Sequence, residues 1–181
     1  LRSLQMRRLR LALCARKARR IMKALKVTGA IVVALIGAWY LLEDYWYRKA
    51  IPENIGLSYR ISITSDSGLR EGCGTAVYKL GGKTAEAIKE QGVKFFEESG
   101  QARGHSDRYY TYGEWMETPR DDWTRSENWS YELLCGGSIG GSLYDDIVES
   151  GRTGGSYYSF KDEAVLMVIP DKKLVVFSHN G

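Results

Sequence analysis

The chain has 181 residues and a formal net charge of +4, but that charge is unevenly spread. Ten of the 26 basic residues and none of the 22 acidic ones precede Glu43, which leaves 16 basic against 22 acidic after it, a balance of −6. Such asymmetry is a topology signal before it is a ligand signal, and it argues against the nucleic-acid partner that an isoelectric point near 8.9 would suggest.

Residues 1–23 read as a basic cytoplasmic tail. Met22-Lys-Ala-Leu-Lys26 makes a short n-region by itself, so Leu1–Ile21 is expected to be either that tail or an over-long start. Leu4, Met6, Leu9, Leu11 and Leu13 among arginines also suit an amphipathic helix on a membrane surface. Residues 24–42 follow, interrupted only by Lys26, and at about 1.5 Å per residue they reach roughly 28 Å, close to a hydrocarbon core. The expectation is a single transmembrane signal anchor with the bilayer as its first partner. Lys26 is placed to snorkel at one interface, and Trp39, Tyr40 and Trp46 to sit at the other. A cleaved signal peptide is disfavoured, because Trp39-Tyr40-Leu41-Leu42 fills the place where small residues are needed. Basic residues before the span put the N-terminus in the cytoplasm and the remainder in the periplasm, with the inner membrane as location.

Residues 43–55 read as a stem and linker, broken by Pro52. Residues 56–181 suffice for one core, and the fold expected is α+β: a mainly antiparallel sheet with two helices. Leu57–Thr64 alternates as a half-buried strand, and Gly74–Leu80 reads as a second. Thr84 is the expected cap of a helix running to about Glu98, with Ala85, Ile88, Gly92, Phe95 and Phe96 on its buried face. Gly141–Gly151 is the expected second helix, with Ser142 and Asp145 as a capping-box variant. Ala164–Ile169 and Leu174–Phe177 are unbroken apolar runs joined by Pro170–Lys173, a hairpin at the centre of the sheet. Cys73 and Cys135 are the only cysteines after the span and are expected to pair, since an extracytoplasmic compartment is oxidising.

Chemistry is sparse. His105 and His179 are the only histidines, and no cysteine has a neighbour at zinc-ligand spacing, so neither a metal nor a catalytic triad is expected. The glycine-rich Gly136–Ser142 lacks the lysine of a phosphate loop, so no nucleotide or other cofactor is expected. Arg108–Leu134 interleaves aromatics with carboxylates. Tyr109, Tyr112, Trp115, Trp123 and Trp129 are the candidate contacts for another envelope protein, since tyrosine and tryptophan dominate binding hot spots. The same residues also suit plain core packing, or a polysaccharide site in which two carboxylates do acid–base work. The resulting expectation is a membrane-anchored, non-enzymatic binding protein: an inhibitor, an immunity-type partner or an assembly component.

Overall fold

A computed structural model describes residues 2–67, 72–120, 133, 135, 137 and 139–180, with side chains from residue 21 onward. The chain forms two compact units, Leu1–Glu43 and Asp44–Gly181. The first belongs, from Arg2 onward, to α1 (Arg2–Lys49), which carries acidic residues only near its end. Residues Ile21–Lys49 are long and apolar enough to cross a membrane, and the most apolar window is not buried inside the protein at all. Val33, Leu35, Ile36 and Leu41 are each more than 60% exposed, on different sides of the helix. A soluble helix would bury one face and leave the other polar. This one does neither.

The second unit is the α+β domain. Its six strands are β1 (Leu57–Ser67), β2 (Gly72–Leu80), β3 (Met116–Glu117), β4 (Tyr157–Lys161), β5 (Ala164–Ile169) and β6 (Leu174–Asn180). They form one sheet in the order β1-β2-β6-β5-β4-β3, with every neighbouring pair antiparallel. Two further helices, α2 (Gly82–Gln91) and α3 (Gly141–Arg152), complete it.

The unbroken apolarity of β5 and β6 follows from their place mid-sheet, where both faces are covered. One face carries Ala76, Tyr78, Leu166, Val168, Val175 and Phe177, packed with Ile88 of α2 and with Phe96. The other carries Val77, Met167, Ile169, Leu174 and Val176, packed with Ile147 of α3. Neighbouring residues within each strand alternate between these two cores, as a period of two requires.

Several boundaries differ from expectation. α2 starts at Gly82 with Gly81 as its cap, not at Thr84, because the Gly81 amide donates to the Gly56 carbonyl at 2.8 Å and fixes the first turn earlier. It ends at Gly92, whose φ of +61° breaks the α-helix, and Gly92–Glu98 continue as a 3-10 helix. α3 is capped by Gly140 without a side-chain hydrogen bond, so Ser142 and Asp145 do not form the expected box. β3 and β4 had no counterpart in the sequence reading. Residues 44–55, expected as stem and linker, lie within the domain: Ile51 and Ile55 are fully buried, and the Ile51 carbonyl accepts from the Arg103 amide at 3.2 Å.

Candidate functional site

The aromatic-rich segment divides between two environments. Tyr112 is buried, and its hydroxyl donates to the Ala50 carbonyl at 2.6 Å. Burial pushes its pKa well above the ordinary phenol range. Trp115 is also buried, with its indole N–H donating to the Ser99 carbonyl at 3.2 Å and its ring stacked on Phe96 at 4.2 Å. Both therefore serve the core. Glu97 and Glu114 lie beside Trp115 in a shallow recess of about 270 Å³, but Phe96 occupies the indole face that a sugar would need. Trp123 and Trp129 lie outside the described residues.

Tyr109 behaves differently. It is 57% exposed, and together with Tyr110 it closes one side of a second recess of about 420 Å³. The short 3-10 turn Arg108–Tyr110 carries both rings, Tyr109 exposed and Tyr110 half-buried against the core, and the Asp107 carboxylate caps it by accepting from the Tyr109 amide at 3.1 Å. His105 stacks on the far side of this turn, 3.6 Å from the Tyr110 ring. The last residues of α1 and the turn after it supply another wall with Trp46, Tyr47 and Ala50, and β6 supplies Phe177 and His179.

These walls are set by sequence-distant contacts. Tyr47 lies edge-on to Phe177, with ring centres 6.1 Å apart, and its hydroxyl is 3.3 Å from His179 Nε2. Gly74 permits that approach, since a Cβ there would run into the Tyr47 hydroxyl. Beside it, Cys73 is bonded to Cys135 with Cα atoms 5.8 Å apart, within the usual range for a bridge. The link joins the start of β2 to the segment before α3, across 62 residues of chain.

The cation of this recess is Lys161. It is the last residue of β4 and only 7% exposed. Its Nζ lies 4.7 Å from the centre of the Tyr109 ring and 5.2 Å from that of Tyr110. Burial lowers its pKa, with Asp162 and Asp107 acting in the opposite direction. Reasoning from sequence did not bring Lys161, Tyr47, Phe177 and His179 together. The one available signal was a lysine closing the run Tyr157–Lys161 immediately before a two-residue turn and a fully apolar strand.

Lys26, Trp39, Tyr40 and Trp46, expected at membrane interfaces, are all exposed, with Trp39 at 70%. Among the described residues, no group of three or more His, Cys, Asp or Glu side chains is placed to hold a metal ion. The fold and the recess define a class: an α+β domain, bridged by one disulfide, that continues from a helix apolar enough to cross a membrane. Comparison with family models, curated proteins and solved structures finds no match, so the functional reading rests on this chain's own chemistry.

Proposed function

We propose that this protein is held in the inner membrane by α1, N-terminus in the cytoplasm, and that its periplasmic domain works by binding another protein. The role would be that of an inhibitor, an immunity-type partner or an envelope-assembly component. Charge asymmetry supports the orientation, because ten basic residues precede the span and none of the acidic ones does. The Cys73–Cys135 bridge supports an oxidising compartment for the domain.

The observation that carries protein binding is the state of β1. Among the described residues this 11-residue strand has a neighbour on one side only, β2, and it exposes Tyr59 at 59% and Ile61 at 38%. Sheet edges of that length with apolar side chains are templates for an added strand unless they are covered. Arg48 Nη2 already donates to the Ser58 carbonyl at 3.2 Å, so the start of β1 is partly occupied.

The test uses the full chain in native membranes, with a photo-reactive amino acid at Tyr59 or Ile61. The expected result is one discrete heavier adduct from either position and none from Glu149, at the surface of α3. Equal adducts from all three, or none from any, would remove the reading. In the same membranes Cys73 and Cys135 should resist alkylation until reduced. A polysaccharide module is the second reading, favoured only by Glu97 and Glu114 flanking Trp115.

A further inference from the structure

The recess walled by Tyr109, Tyr110, Tyr47 and Phe177 has properties that a strand-adding partner at β1 would not use. Its volume of about 420 Å³ falls in the range of small-molecule sites, which are mostly aromatic or aliphatic with a few placed polar groups. Lys161 is the polar group that is out of place. A lysine 7% exposed has lost part of its hydration, and among the described residues its Nζ, open to the recess, has two aromatic faces and neither an ion pair nor a hydrogen bond. Cation–π contacts replace only part of that hydration. Asp107 and Asp162 act on it at longer range, while Asp66 and Glu163, the carboxylates lining the recess, are exposed and screened by water.

We propose that this recess binds a small amphipathic anion, with an aromatic or short aliphatic body against Tyr47, Tyr110 and Phe177 and its carboxylate, phosphate or sulfonate on Lys161. A cationic ligand is disfavoured, because Lys161 already occupies the two tyrosine faces that would receive it. A neutral apolar ligand would fill the walls and leave the ammonium as it is. An anion supplies hydrogen bonds to this ammonium in which both partners are charged, shorter and stronger than those a neutral acceptor would make. The site needs no protein partner, so it stands or falls separately from the role of β1.

The test is photo-labelling of the full chain in phosphatidylcholine nanodiscs with a diazirine-bearing benzoate, followed by mapping of the labelled peptides. Saturable label is expected on peptides holding Tyr47, Tyr109–Tyr110 and Phe177. The matching benzamide and benzylamine probes should label them about tenfold less, the effect of losing one charged contact. Lys161→Met should abolish the preference for the benzoate and Lys161→Arg should keep it, with unchanged melting and an intact disulfide. If Lys161→Met does not fold, Ala164→Leu, which fills the recess and keeps the charge, should cut labelling by a similar factor. Equal labelling by benzoate and benzamide, stronger labelling by benzylamine, or full benzoate labelling in a folded Lys161→Met or Ala164→Leu protein would overturn the proposal. Phosphatidylglycerol nanodiscs distinguish the sources. Lower labelling there supports an anionic lipid headgroup as the ligand, and unchanged labelling supports a free anion.

Discussion

Two unbroken apolar runs in this chain have opposite fates. Every residue of Ala164–Ile169 is buried, between α2 on one face of the sheet and α3 on the other. Every large apolar residue from Val27 to Leu42 is exposed, at 48% or more. Composition does not separate them. Length and covering do: six residues of strand can be enclosed by a domain of this size, whereas a continuous helix of apolar side chains has nothing in its own unit to cover it. The difference shows where the chain supplies its own apolar solvent and where it leaves uncovered a run long enough to cross a bilayer.

The comparison breaks most sharply if the helical run is made polar. Val33→Arg with Leu35→Arg places two charges near mid-span, each costing about 3 kcal/mol on insertion scales. The double variant should leave the carbonate-resistant membrane fraction, while the thermal transition of the domain stays where it was. Retention of both charges in that fraction would mean that lipid is not what covers the run. A smaller effect sharpens the other side. Leu166 is fully buried, so Leu166→Ala should destabilise the domain by about 2–5 kcal/mol in denaturant melts of the full chain in micelles. Ile36→Ala, the same kind of truncation in the exposed run, should shift that midpoint by less than about 0.5 kcal/mol.

What the sequence made legible follows the same division. Signals carried by a local run survived into the structure: the apolar helix, the strand β1, the β5–β6 hairpin and α3 all fall where their patterns lie, although the alternation expected to bury Tyr59 and Ile61 does not hold, since both are exposed beside shifts in the β1–β2 register. Features that depend on distant partners were not legible. Ile51 and Ile55 sit beside Pro52 in what reads as a linker, yet the segment's carbonyls are held by Arg103 and its apolar side chains by the core. Likewise the aromatic segment after Arg108 carries no periodicity that assigns Tyr109 to the recess and Tyr112 to the core. A three-residue turn and one hydrogen bond to Ala50 decide it. Lys161 is the extreme case, since an unexceptional lysine becomes the recess's buried cation only when the turn delivers two tyrosine rings to it.

That hydrogen bond gives the smallest and most specific prediction. Tyr112→Phe removes the donor to Ala50 and should cost about 1 kcal/mol at neutral pH, or somewhat more for the unsatisfied carbonyl. Its larger consequence is at alkaline pH. Burial raises the Tyr112 phenol, and burial, then the neighbouring Asp44, raises that of Tyr78. In the unfolded chain both would ionise near pH 10, so the unfolded state holds fewer protons above that point and stability falls as pH rises. Each phenol contributes about 1.4 kcal/mol per pH unit there. Lys161 acts in the opposite sense, because its lowered pKa makes stability rise with pH, but only up to its unfolded value near 10.5. Above that pH the tyrosine slope is no longer offset by this lysine, and Tyr112→Phe should remove one phenol's share of it in melts between pH 10.5 and 11.5. An unchanged slope in the variant would show that Tyr112 reaches water when folded, and that the joint between the end of α1 and the segment after Arg108 is looser than the 2.6 Å contact describes.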